Sequence, residues 1–213
     1  MPVTITHGYT DLATFKTYMG ISVSTLDDPL SMAINAASRG IDNYCQRRFW
    51  LDGTAVARTF VPQSLTGIEF DDDIGDSASV IIKTDASGDG TFETTWASSD
   101  YQLLPVNAPY GFPEAEPWTA IRAVGSKTFP WLVNTWLTRL DRVQVTAKWG
   151  WPAVPDAVTQ ACLIKAARLF HRKDSPQGIA GFGDFGPVRL SRTEDSDVTG
   201  LLDPYRRVPV LVA

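Results

Sequence analysis

The sequence predicts an α+β protein, a small helical bundle carrying an inserted antiparallel β domain and an extended C-terminal arm. Three observations predict it. Capped segments with helical periodicity occupy both ends of the chain, partial period-two alternation fills the middle, and a Gly/Pro-rich stretch follows Lys173. The boundaries read as 1–50 with 150–174 for the bundle, 51–149 for the β insert and 175–213 for the arm.

The first helix starts at Thr10 or Asp11, turns Leu12, Phe15 and Tyr18 or Met19 inward, and stops at Gly20. A second starts at Asp27 or Asp28 before Pro29 and runs to about Arg47, with an apolar stripe of Leu30, Ile34, Ala37, Ile41 and Tyr44/Cys45. The third is the organising element. Pro155 and Asp156 open it, a proline losing nothing at the first helical position and an acid meeting the positive dipole end. From Asp156 to about His171 it is apolar around most of its circumference, which places it centrally in a bundle or at a contact between subunits. Arg168, His171, Arg172 and Lys173 suit its C-terminal end, and Asp174-Ser-Pro ends it.

The middle differs. Val56–Val61, Gly67–Phe70, Ala78–Lys83, Gly90–Trp96 and Tyr101–Leu104 read as short strands bounded by Gly, Asp, Pro and Ser, and Arg142–Trp149 closes the sheet. Residues 108–117 read as a loop. Trp118–Val124 fits a strand or a helical turn, with the helical turn favoured. Beyond Lys173, Ile179, Phe182 and Phe185 sit among glycines and prolines, a composition that suits a contact arm or a folded flap. Val188–Arg192 is strand-like, Val198–Leu202 forms at most one or two helical turns, and Pro204 onward is extended.

Composition bounds the function. The chain has 213 residues, 44% of them hydrophobic and 20% charged, as in a soluble globular protein. No apolar run approaches the ~18 residues of a membrane span, and the opening MPVTITHGY lacks the pattern of an export signal. Cys45 and Cys162 have no metal-like spacing and read as small buried hydrophobes, a disulfide between them being the alternative. The net charge of −5 is concentrated: residues 51–100 hold ten acids against Arg58 and Lys83. That argues against a tight grip on nucleic acid, which needs clustered cations.

Several stretches invite a catalytic or ligand-binding reading. Asp85, Ser87, Asp89 and Glu93 are spaced like calcium-loop ligands, but the twelfth position is Trp96 instead of a glutamate, so a hairpin turn is expected. Gly181–Gly186 is glycine-rich without the lysine or strand–helix context of a phosphate loop. His7 and His171 are the only histidines, and no serine elbow or Cys/His pair is visible. The acids of 71–76 read as a solvated face or turn. Arg47-Arg48 and Arg206-Arg207, flanked by aromatics, read as snorkelling or as pairing with a partner's carboxylates. No catalytic residue, cofactor or metal is expected. The competing reading is a hard-cation hydrolase or carbohydrate-binding module using Asp71–Asp76 and Asp85–Glu93.

One further pattern spans the ends. Asp11-Leu…Tyr18-Met-Gly-Ile, Asp27 to Tyr44 with Arg47-Arg-Phe, Trp149-Gly-Trp-Pro-Ala-Val-Pro, Gly178-Ile-Ala-Gly-Phe-Gly-Asp-Phe-Gly and Leu201-Leu-Asp-Pro-Tyr-Arg-Arg occur in this order. The series resembles the head–tail connector (adaptor) proteins of long-tailed double-stranded DNA bacteriophages, in particular members from phages of actinobacteria. It covers about 1–50 and 143–208 and is weaker in the insert. The resemblance implies a non-enzymatic virion protein of the neck, assembled as a ring of about twelve copies under the portal. It implies contacts with the portal and with a stopper or tail-completion protein, genomic DNA passing through the lumen, and no membrane. Carried onto this sequence, the candidate partner-contact residues are Ile179, Phe182, Phe185, Val188, Arg189, Leu190, Tyr205, Arg206 and Arg207.

Overall fold

A computed structural model of the chain describes residues 2–111, 115–130, 141–172, 179–180, 188–189 and 196–207. It has the α+β architecture, in two compact units: Met1–Arg47 with Val154–Ala213, and Arg48–Ala153.

The first unit is helical. Helix α1 spans Leu12–Met19, α2 Asp27–Cys45, α3 Asp156–Arg172 and α4 Ser196–Leu202. Asp11 caps α1: its carboxylate accepts the Thr14 backbone N–H and the Thr14 hydroxyl, both at 2.8 Å. At the other end Gly20 adopts φ 66°, which lets Ile21 N–H reach the Lys16 carbonyl (2.9 Å) and Gly20 N–H that of Thr17 (3.2 Å). Tyr18, a candidate inward residue, is exposed; Phe15 is the buried one.

Along α2 the buried positions Leu30, Ala33, Ile34, Ala37, Ile41 and Cys45 keep the three-to-four spacing of one face. They pack on α3, whose buried residues are Val158, Ala161, Cys162, Leu163, Ala166 and Phe170. Ala157, Ile164, Ala167 and Leu169 are only half-buried, so α3 buries one broad side and not its whole circumference.

Within the arm, the one or two helical turns read at Val198–Leu202 are present as α4, while the stretch from Asp203 is not extended from its start. Val198 and Leu202, four apart on α4, are buried, and α4 packs on α3. Tyr44 OH donates to Asp203 Oδ1 at 2.6 Å and Arg207 N–H to the Cys45 carbonyl at 2.8 Å. A single-turn 3₁₀ segment, Asp203–Tyr205, replaces the extended start of the tail. Two apolar residues one turn apart suffice to seat this helix of seven residues, whose stability comes from packing on α3 and not from its length.

Both cysteines are free and buried. Burial pushes the Cys45 thiol up to about 12 and raises that of Cys162, which lies 3.5 Å from the Ser38 hydroxyl. Neither is therefore expected to react with a thiol reagent at mildly alkaline pH until the bundle unfolds. Rapid modification of the folded protein, followed by mass spectrometry, would contradict this burial.

The second unit is a sheet: β1 Val56–Phe60, β2 Gly67–Thr84, β3 Thr94–Thr95, β4 Tyr101–Leu104, β5 Trp118–Ala123 and β6 Val143–Trp149. The order is β1-β6-β2-β5-β4, with β3 also on β2, and every pairing is antiparallel. Three expectations change. The two strands read at Gly67–Phe70 and Ala78–Lys83 are one strand of 18 residues, which pairs β5 at its start and β6 further on. Register shifts between Glu69 and Ile74 and again up to Ile81 let the acid-rich middle stay extended. Trp118–Ala123 is a strand, not a helical turn: it lies between β2 and β4, with Ile121 and Ala123 buried two apart. The strand expected at Gly90–Trp96 shrinks to Thr94–Thr95.

The core of this unit is Ile68, Phe70, Ile74, Ile82, Trp96, Ile121, Phe129 and the inward face of β6, Val143 to Trp149. Trp149 is fully buried against Phe60 and Phe70, and its indole N–H reaches the Val56 carbonyl at 2.8 Å. Trp96 stacks on Phe129 with centroids 4.7 Å apart. No helix among the described residues is long and apolar enough to cross a membrane.

Candidate contact surfaces

Six of the candidate contact residues are among the described residues, on two elements. Ile179–Ala180 (β7) pairs antiparallel with Val188–Arg189 (β8), Ile179 opposite Arg189 and Ala180 opposite Val188. This hairpin brings three of the candidates together on a two-stranded ladder, an arrangement with little stability of its own. Phe182, Phe185 and Leu190 lie outside the described residues. Tyr205, Arg206 and Arg207 sit elsewhere, at the end of α4. The Arg206 guanidinium lies 5.1 Å over the Tyr44 ring and 4.0 Å from Asp203 Oδ1, so it is engaged within its own unit.

A second surface is not evident from the sequence. The N-terminal segment runs along the polar side of α2, held almost wholly through its backbone. Val3 N–H donates to Asp28 Oδ1 (2.8 Å), Thr6 N–H to Asn35 Oδ1 (3.0 Å) and Tyr9 N–H to the Ser38 hydroxyl (3.1 Å). In return Asn35 Nδ2 donates to the Thr4 carbonyl, and Arg39 to the carbonyls of Thr6 and His7. The Tyr9 hydroxyl donates to Asp42, which also pairs with Arg39. A sequence signal exists in the i, i+7 spacing of Asp28, Asn35 and Asp42, but an extended peptide bound by its backbone leaves no signature of its own.

Several carboxylates of the acid-rich insert are paired within the unit. Arg48 forms a two-pronged pair with Asp52 (2.8 and 3.0 Å) and reaches Asp72 Oδ2 at 3.0 Å, which Arg58 also meets at 2.9 Å. The two guanidiniums lie over Trp50 and Trp149, at 4.1 and 4.6 Å. Asp76 pairs with Lys148 at 3.7 Å, and Asp73 is fully buried. The stretch 71–76, read as a solvated face or turn, is part of a paired strand in which Asp71 is exposed and Asp73 buried. Arg48 finds carboxylates of its own chain, not a partner's.

Asp85 closes the loop after β2. Its carboxylate, itself buried, accepts the backbone N–H groups of Gly88 (2.5 Å) and Gly90 (2.8 Å) and the Ser87 hydroxyl (3.1 Å). Arg142 packs over Gly88 and donates to the Ala86 carbonyl. The oxygens that a calcium loop would aim at an ion are here turned onto the loop's own backbone. Among the described residues no three His, Cys, Asp or Glu side chains are grouped to hold a metal.

Burial alone would raise the Asp85 and Asp52 carboxyls. Hydrogen bonds from Gly90, Gly88 and Ser87 outweigh it at Asp85, as the bond and charge of Arg48 do at Asp52, so both are held below the usual carboxylate range. A pKa lowered by folding contributes stability above the unfolded value, near ~3.9, and loses it as the pH falls through the folded value. The urea midpoint should therefore fall below about pH 4, and fall less in Asp85→Asn. An Asp85→Asn protein with the wild-type acid slope would count against this assignment.

Comparison with known proteins adds the fold relationship. No protein-family model matches the chain, and no curated protein matches it. Solved structures do. A chain in the neck of an empty GTA particle, computed with C6 symmetry, is 17% identical with a TM-score of 0.55. One in the neck of the native GTA particle, computed with C12 symmetry, is 19% identical with a TM-score of 0.55. One in the virion of the native gene transfer agent particle is 18% identical with a TM-score of 0.52. Each match covers 99% of this chain and 96% of the other. The shared property is the fold. It extends over both units of the chain.

Proposed function

We propose that this chain is a head-to-tail connector, a structural subunit of a phage-like neck that joins a capsid to a tail. The observation that carries the reading is the end-to-end fold match to neck chains, 99% of this chain on 96% of theirs. The ordered residues resembling actinobacteriophage connectors point the same way, independently of the fold. The C12 symmetry of one matched neck supports a ring of twelve copies, its lumen passing the genome. The portal lies on one side and a stopper or tail-completion protein on the other. The hairpin residues Ile179, Val188 and Arg189, with Phe182, Phe185 and Leu190, serve as portal contacts in this reading.

The role is non-catalytic. Of the acids in the hydrolase reading, Asp71–Asp76 and Asp85–Glu93, Asp72 is bound to Arg48 and Arg58 and Asp85 to the backbone N–H groups of Gly88 and Gly90. The test is mass determination of the purified protein, alone and after mixing with portal particles. A ring joined to portal particles, visible as added mass at the vertex, is the expected result. A chain that never joins portal particles, at any protein concentration, overturns the proposal.

A further inference from the structure

The β unit holds a cleft that none of the surfaces above uses. It is an open cleft of about 500 Å³, lined by Thr66, Gln102, Arg122, Gly125, Ser126 and Lys127, among others. The register explains the opening. Arg122 on β5 stands opposite Gly67 on one side, which has no side chain, and opposite Gln102 on the other. The turn after β5 passes through Gly125 at φ 68°, with nothing within 4 Å of the place a Cβ would occupy. Arg122 is exposed and has no hydrogen-bond or ion-pair partner among the described residues. Lys127 differs: its ammonium lies 3.4 Å from Asp100 and 5.9 Å from the Trp96 ring centre, so its charge is partly answered. The cleft therefore presents one unanswered guanidinium fork beside an amide and the hydroxyls of Thr66 and Ser126. That donor set fits a carboxylate.

We infer that this cleft receives an acidic side chain from a second copy of the chain, making it the cationic half of a contact between neighbours. Charge complementarity selects the occupant. Each copy carries a net charge of −5, with exposed Glu69, Asp89 and Glu93 on the same unit. Neighbours that repel at long range need a local cationic acceptor, and a closed ring joins two different patches of identical subunits. A nucleic-acid backbone carries the same oxyanion chemistry, but it would approach across a unit in which acids outnumber bases. The inference rests on the neck reading for the side-by-side arrangement of copies.

Sedimentation of the full chain over a range of concentrations, at low and high salt, tests it, with portal joining and binding of a labelled DNA duplex measured in parallel. Arg122→Glu should weaken self-association by about tenfold or more, Arg122→Lys less, and high salt should weaken the wild type in the same direction. Equal melting temperatures will show that the variants fold. Unchanged self-association in Arg122→Glu overturns the inference, even if the protein joins portal particles, as does a wild type that never self-associates. Loss of duplex binding in Arg122→Glu with self-association intact also overturns it, assigning the cleft to phosphodiester. A wild type that self-associates through Arg122 yet ignores portal particles leaves the cleft standing and removes the neck reading.

Discussion

Gly150→Ala is expected to unfold the β unit. At this position the chain turns out of β6 with φ 110°, a backbone state that side-chain-bearing residues rarely adopt. A Cβ built there would overlap the carbonyl oxygen of Trp50. Neither side of that contact can yield. Gly150 N–H is bonded to the Asp73 carbonyl at 2.7 Å, and Asp52 N–H to the Trp149 carbonyl at 2.8 Å, so the two backbones are tied together where they touch. Gly75 sits in the same crossing, its added Cβ falling 2.7 Å from the Gly150 oxygen and 3.2 Å from Pro152 N. Strain and overlap together should cost more than ~4 kcal/mol, in the exceptional range for single substitutions. That corresponds to a loss of ~15 °C or more in melting temperature for a unit of this size. Gly125→Ala is the control, because it shares the positive φ but meets nothing within 4 Å, and it should cost only ~1 kcal/mol. All seven tryptophans lie between Trp50 and Trp151, so intrinsic fluorescence reports this unit. A Gly150→Ala protein whose fluorescence transition stays within a few degrees of wild type would show that the crossing is not rigid.

What was legible in the sequence follows the range of the interactions involved. Asp11, Gly20 and the Pro155-Asp156 pair mark helix ends through contacts within one or two turns, and those helices stand where the residues place them. The alternation of β6 was equally plain, because every second residue from Val143 to Trp149 is buried. By contrast, the continuity of β2 through Asp71–Asp76 depends on Arg48, Arg58 and Lys148, all distant along the chain, so a run of acids looked like a solvated turn. The strand at Trp118–Ala123 is likewise set by its two neighbours and not by its own ambiguous period. The cleft at Arg122 was invisible for the same reason. It exists only because the register sets an arginine opposite a glycine and a glutamine drawn from two other strands.

Ile34→Ala should destabilise the helical unit alone. Ile34 is fully buried on the face of α2 that packs against α3, and its Cγ2 also lies 3.2 Å from the position a Cβ would take on Gly8, under the N-terminal segment. Truncation removes three carbons from a site walled by a helix on one side and a bonded strap on the other. Such a site collapses poorly, so the cost should fall in the upper part of the ~2–5 kcal/mol range for buried aliphatic truncations. Met32, two residues along the same helix and 61% exposed, is the internal control: Met32→Ala should change stability by less than ~0.5 kcal/mol. Helical circular dichroism follows α1 to α4, whereas fluorescence follows the sheet, so the two signals separate the units. In Ile34→Ala the dichroism midpoint in urea should drop while the fluorescence midpoint holds. Coincident shifts in both signals would mean that the two units unfold as one cooperative body, and an unshifted dichroism midpoint would refute the packing of α2 against α3.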